Sequence, residues 1–427
     1  MAISRFKTSS VAQGLPKYQK FWDQSTTLYS YYLASFGTAG GTEAAMAIRK
    51  DSSGNWYTTG IEGGSTASGV RKLNPAFNSI TWQKVASLGT YTGYDGLELD
   101  SSGNPIVGGY NNQNGRVAGR AKFSATDGST TWHYYYSVGG YGNGLAQDSA
   151  GNLYSAHSGS SSNPGMLKTN SSGTSPTYYY YSGGVYGTGV AYNPSTDFLY
   201  LTTTGASSVY RGELTCLNTS GTVQWSKYFT STYCTGTAQG ISFDSSNNIY
   251  LGTFAADTGT SGAYCLGVKF NSSGVQQWSR KLDAGTGSND QFMGSAIDSS
   301  GNVYFVGVTG TSGIIAKYNS SGTIQWQRTM TNTQFQSVRI ESNLELIVTG
   351  TVGNDGIVVR VPTDGTKTGT YTLNGVSITY AASSLTDSAS GLSSSDTGYG
   401  WGSAGQSATS VGTSYTTDTS TVVKVAI

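Results

Sequence analysis

The stretch Asp298-Ser-Ser-Gly-Asn-Val-Tyr-Phe-Val306, continued by Ala316-Lys-Tyr-Asn-Ser-Ser-Gly-Thr-Ile-Gln-Trp326, holds the plan of the chain. Asp, Ser, Gly and Asn each favour tight turns, through short side-chain hydrogen bonds or a permitted positive φ. The apolar and aromatic runs beside these turns read as short strands. Moving outward, the first turn returns as Asp51-Ser-Ser-Gly-Asn55, Asp100-Ser-Ser-Gly-Asn104, Asp148-Ser-Ala-Gly-Asn152 and Asp244-Ser-Ser-Asn-Asn248. Asn193-Pro-Ser-Thr-Asp197 and Glu341-Ser-Asn-Leu-Glu345 are weaker copies. The seven anchors stand 43 to 54 residues apart.

Each unit has one grammar. A small residue leads an apolar strand, as in Gly96-Leu-Glu-Leu-Asp100 or Gly240-Ile-Ser-Phe-Asp244. A turn and a second strand follow, then a variable loop. A third strand carries a basic residue (Lys72, Lys122, Lys168, Lys269, Lys317, Arg360), with Cys216 in the fourth unit. After another turn, a fourth strand carries an aromatic: Trp82, Trp132, Tyr178, Trp225, Trp278 or Trp326. Four short strands per 40–50 residues mark a propeller blade. The expected fold is therefore an all-β, seven-bladed propeller of four-stranded blades. Leu28–Gly37 is expected to supply the missing fourth strand of the last blade, and Gly369–Leu373 competes for that place. The expected division is an N-terminal attachment arm over 1–27, a ring over 28–373 and a Ser/Thr/Gly-rich C-terminal β extension over 374–427.

Composition narrows the function. With 24 Lys+Arg against 23 Asp+Glu in 427 residues, the chain has no concentrated basic charge of the kind that neutralises phosphates, so no nucleic-acid partner is expected. No apolar run approaches the length of a membrane-spanning helix, and no membrane insertion is expected. The first ten residues lack the apolar core of a signal peptide, and synthesis in the cytoplasm is expected. Cys216, Cys234 and Cys265 suggest neither a disulfide framework nor a metal site.

Propeller geometry gathers the repeated turns on one face and the variable loops on the other. Loops on a rigid scaffold are the usual site of recognition. The candidate binding residues are Tyr91, Tyr94, Tyr141, Tyr186, Tyr233 and Phe292, whose rings could stack on sugars. The recurrent basic residue is expected to reach the anchor acid or a turn carbonyl on the same rim. No metal, cofactor or catalytic residue is assigned, and the chain is expected not to be an enzyme. Glu62, Asp95, Asp257 and Asp290 are the loop carboxylates from which a glycosidase pair would have to come.

The blade grammar resembles the seven-bladed propeller repeats of bacteria and phages. The segments Ser4-Arg-Phe-Lys-Thr-Ser-Ser-Val-Ala-Gln-Gly-Leu-Pro-Lys-Tyr-Gln-Lys-Phe-Trp22 and Tyr371-Thr-Leu-Asn-Gly-Val-Ser-Ile-Thr-Tyr-Ala-Ala-Ser-Ser-Leu385 are similar to parts of structural proteins of marine tailed phages. The resemblance implies a virion structural protein, a tail fibre, spike or head appendage assembled in the host cytoplasm. It implies attachment to other virion proteins through 1–27, with 374–427 as a second candidate segment, in multiple copies or as a homo-oligomer. Host-surface glycan or protein is the outer partner. An architectural capsid decoration or tail adaptor, and a bacterial lectin-like surface propeller, are the alternatives.

Overall fold

A computed structural model describes residues 31–37, 43–62, 67–87, 93–111, 117–140, 142–157, 163–181, 184–205, 212–229, 240–256, 262–285, 290–342, 344–397, 401–410, 415–416 and 420–427. These residues form seven antiparallel sheets, one per repeat, arranged as a propeller. Blade 1 runs through Ala44–Lys50, Trp56–Glu62, Ala67–Leu73 and Ile80–Ser87, and blades 2 to 6 follow in order. Blade 7 takes Thr333–Ser342, Glu345–Val352 and Asp355–Pro362 from the end of the repeat and Tyr32–Gly37 from its beginning. Tyr32 pairs with Arg360 and Phe36 with Gly356, so the expected N-terminal strand closes the ring. Gly369–Leu373 instead pairs with Val376–Ala382 at the outer edge of blade 6.

The anchor turns at Asp51, Asp148, Asp244 and Asp298 share one set of contacts. The Asp298 carboxylate accepts the Ser300 and Asn302 amides at 3.0 and 2.8 Å on one oxygen. Its other oxygen accepts the Asn302 amide group at 2.8 Å and the Tyr304 hydroxyl at 3.0 Å. Both carboxylate oxygens are thus committed to the turn, an Asx-type arrangement that needs no metal.

Neighbouring blades are latched at the same rim. Trp278 Nε1 and Lys269 Nζ both donate to Ser320 O, in the next blade, at 3.1 and 3.0 Å. Trp82 and Lys72 likewise share Ala125 O. Gly322, at φ +81°, lies flat on the Trp278 ring, where an added Cβ would come within 2.8 Å. The basic residues therefore act as the expected structural pairs, and Lys122 reaches Asp100 itself at 2.6 Å. In blade 3 the ring under Gly221 is Tyr179, not Tyr178. Lys168 pairs there with Thr177, which shifts the aromatic by two positions.

The C-terminal segment is where the blades depart from four strands. It circles the rim and adds a strand to each blade in descending order. Val376–Ala382 joins blade 6, Thr386–Ala389 blade 5, Ser394–Asp396 blade 4 and Trp401–Gly405 blade 3. Ala408–Ser410, Tyr415–Thr416 and Thr421–Ala426 then join blades 2, 1 and 7. The blades are consequently five-stranded, and blade 6 six-stranded. Both ends of this belt dock on one core cluster. Leu373, Ile378 and Tyr380 are buried in it, and Val423, Val425 and Ile427 pack against it.

Candidate functional site

The inner strands line an axial cavity of about 710 Å³. Four residues before each anchor the side chain is always small: Ala47, Gly96, Gly144, Gly189, Gly240, Gly294 and Ser337. The spacing of the blades requires it. A Cβ on Gly96 would lie 2.5 Å from Leu145 Cβ and 2.6 Å from the Gly144 carbonyl carbon. One residue earlier, most inner strands carry a bulge. Met46, Asp95, Thr188, Met293 and Gln336 are the extra residues in the registers of blades 1, 2, 4, 6 and 7. A bulge re-aims a side chain without ending the strand. Of these five, Met46, Asp95 and Gln336 line the cavity.

Two residues before the anchors a second level forms, about 10 Å farther along the strands at roughly 3.3 Å per residue. Only blades 7, 1 and 2 place charge there, as Arg339, Arg49 and Glu98. Arg49 is fully committed. Its Nε and Nη2 donate to the two Glu98 oxygens at 3.0 and 2.5 Å, and Nη1 donates to Ile48 O at 2.9 Å. Arg339 Nε donates to the same carbonyl at 2.7 Å. Burial, with Arg49 close by, lowers the Arg339 pKa to about 9. Burial also raises that of Asp95 to about 6. Asp95 thus exchanges its proton in the range useful for acid–base chemistry and for pH-dependent binding. Ser149 and Pro194, both exposed, line the cavity as well, so it reaches the face of the repeated turns.

The candidates chosen from sequence distribute differently. Tyr186 is exposed, at 45%. Phe292 must be corrected: it is fully buried, stacked on Phe305 at 5.0 Å, because it leads the inner strand of blade 6 and faces the blade core. Tyr91, Tyr141 and Tyr233 lie outside the described residues, as does the Tyr94 side chain. The four loop carboxylates do not assemble into a pair. Glu62 is buried against Arg71. Asp290 is buried and accepts the Ala284 amide at 2.8 Å. Asp257 lies outside the described residues, and Asp95 faces the axis. Arg49, Glu98, Arg339 and Gln336 were not singled out from sequence. Aligning the anchors and reading two residues back would have found the first three, since the other four blades hold Ala146, Ala191, Ser242 and Ala296 there.

No family model matches the chain, and a search of the curated proteins finds no match. Solved structures do resemble it. Hydrazine synthase of Kuenenia stuttgartiensis matches with a TM-score of 0.57 at 12% identity, over 77% of this chain and 98% of that one. An ulvan lyase matches over 78% and 95%, with a TM-score of 0.47 at 11% identity. A periplasmic gluconolactonase of Pseudomonas aeruginosa matches over 78% and 99%, with a TM-score of 0.46 at 9% identity. Such identities establish the propeller fold and assign no reaction. Hydrazine synthase shares this fold and is named as an enzyme, so the expectation that this chain is not an enzyme is withdrawn.

Proposed function

We propose that the protein is a ring-shaped structural component of a tailed-phage particle, presenting its propeller to the host surface. The observation that carries this reading is the belted rim. Every blade has its outer edge covered from within the same chain, which blunts lateral strand pairing. Contact with other molecules is then left to two unlike faces, one of uniform turns and one of varied loops. A disc with two distinct faces suits a part that meets the particle on one side and its surroundings on the other. The similarity of residues 4–22 and 371–385 to marine phage structural proteins supports the same reading. In the fold, the second of these segments spans the hairpin that fastens the belt to blade 6.

Deleting residues 1–27 tests the attachment role. The truncated chain should keep its ring, seen as an unchanged β circular-dichroism spectrum and melting transition, and should be missing from purified particles. Particles that still incorporate it would refute the arm as the anchor. Imaging of intact particles should show one propeller face against the particle and the other free.

A further inference from the structure

We propose that the axial cavity binds a carboxylated sugar of the hexuronate class, its carboxylate held by Arg339 and its hydroxyls by Gln336 and Asp95. This deepens the host-contact reading and rests on it for the choice of a sugar. The polar groups themselves argue for the chemistry. Arg339 uses Nε on Ile48 O, and its two Nη atoms have no hydrogen-bond partner among the described residues. A guanidinium fork with free Nη groups matches a carboxylate in two parallel hydrogen bonds. The neighbouring Arg49 is bonded to both Glu98 oxygens, and Glu98 also acts on Arg339 through space, so two guanidinium groups share one carboxylate and this level keeps a net positive charge.

Gln336 stands on the same strand, at the bulge, and its Oε1 is buried with no partner. Asp95 lies at the corresponding bulge two blades away, and no hydrogen bond or ion pair engages its carboxyl group. A buried polar atom without a partner, as Gln336 Oε1 is, is rare unless a water, an ion or a ligand completes it, and the half-buried Arg339 and Asp95 line the same cavity. A neutral sugar would complete Gln336 and Asp95 but leave Arg339 alone. A simple carboxylate would do the reverse. One molecule with both a carboxylate and hydroxyls completes all three. The Ser242 and Ser295 hydroxyls of blades 5 and 6, bonded to each other at 2.8 Å, add polar wall to the cavity. The volume is in the range of sites for small organic ligands.

Calorimetric titration of the full chain with D-glucuronate, D-glucose and acetate tests the site. Glucuronate should bind at least about tenfold more tightly than either of the others. Arg339→Gln should weaken glucuronate about tenfold or more and leave glucose unchanged, whereas Gln336→Ala should weaken both sugars. Thermal melts report whether each variant is folded, and Arg339→Lys keeps the charge without the fork. The wild-type ranking decides the matter by itself. Glucuronate no tighter than glucose overturns the role of Arg339, and acetate equal to glucuronate overturns the sugar. Normal particle incorporation and host adhesion with no glucuronate binding would sink this site and leave the host-contact reading intact.

Discussion

The ring and the belt are both β structure, yet they are specified in opposite ways. Ring strands carry their own instructions: a small residue at the axis, an Asx turn, apolar positions and an aromatic latch to the next blade. Belt strands in the middle of the path are two to five residues long, Ser- and Gly-rich and mostly half-exposed or exposed where described. They become strands because each meets the unpaired edge of a blade. The two ends differ from the middle. Val376–Ala382 and Thr421–Ala426 are longer and bring apolar side chains to one shared cluster. The belt is buckled at blades 6 and 7 and threaded past the others.

Removing residues 369–427 should therefore have the largest effect of any change considered. It strips Leu373, Ile378 and Tyr380 from a core in which all three are fully buried. At about 2 kcal/mol for each such side chain, the loss is about 6 kcal/mol before edge effects. The melting temperature should fall by on the order of 10 °C, and the seven bared edges should promote association, visible by light scattering. Truncation after Ser383, which keeps the first hairpin, should recover part of the loss. If the two truncations melt alike, the buckle lies at the other end.

Breaking one ring turn comes next. Asp298→Ala removes the acceptor of four hydrogen bonds and leaves the Tyr304 hydroxyl with only the longer contact to Thr363 O, at 3.4 Å. A loss of about 3 kcal/mol is expected in denaturant unfolding. An exposed belt residue, Ser403, should tolerate Ala within about 0.5 kcal/mol. Equal costs at the two positions would contradict the claim that the ring specifies itself and the belt does not.

The same contrast explains what the sequence reveals. Seven anchors at similar spacing make the blades, their closure by Tyr32–Gly37 and the pairing of Lys with turn carbonyls legible, because one physical solution is written many times. The belt has no period, and past blade 6 its pairing depends on edges supplied by residues more than a hundred positions away, as with Gly405 and Thr177. Phe292 was misread for a related reason. A ring at the start of an inner strand looks like a loop residue until the register with Gly307 turns it toward Phe305. Asp95 was visible as a loop acid, but its meaning depends on a bulge, and a bulge is a property of two strands together.

On the inner wall the expected change has the opposite sign. Burial raises the Asp95 pKa from 3.8 to about 6, so the folded chain holds this proton where the unfolded chain has lost it. Stability from Asp95 is thus greatest below about pH 4 and is lost as pH rises through about 6. The charged and titratable groups around the cavity are Arg49, Glu98, Asp148, Tyr192 and Arg339. Asp95→Asn should stabilise the ring by up to about 3 kcal/mol at pH 8 and change little at pH 4. His133 and His157 work the other way. Burial lowers their pKa values to about 4 and about 3, so their contribution is present above about pH 6.5 and is lost on acidification. Melting curves of wild type and Asp95→Asn across pH 4–8 isolate the Asp95 part as a difference. A constant difference would mean that Asp95 does not titrate in this range.

The smallest effects separate two fastenings within the belt itself. Asp387 accepts Arg280 Nε at 3.2 Å and the Tyr318 hydroxyl at 3.1 Å, also pairs with Arg280 Nη2, and is 12% exposed. Hydrogen bonding to Asp387 raises the Arg280 pKa above its ordinary value. Asp396 pairs with Lys227 of blade 4, the blade its own strand joins, but is 80% exposed. Water already solvates Asp396, and the flexible Lys loses freedom in holding it, so the pair gains little. Asp387 is shielded, and its replacement leaves a buried hydroxyl and a guanidinium short of an acceptor. Asp387→Ala should therefore cost about 2 kcal/mol, and Asp396→Ala less than about 0.5 kcal/mol, in chemical unfolding. High salt should narrow the gap only slightly, because the shielded contacts of Asp387 are screened much less than exposed ones. If Asp396 proved the costlier of the two, the belt would be held at blade 4 by charge rather than at blades 6 and 7 by apolar burial.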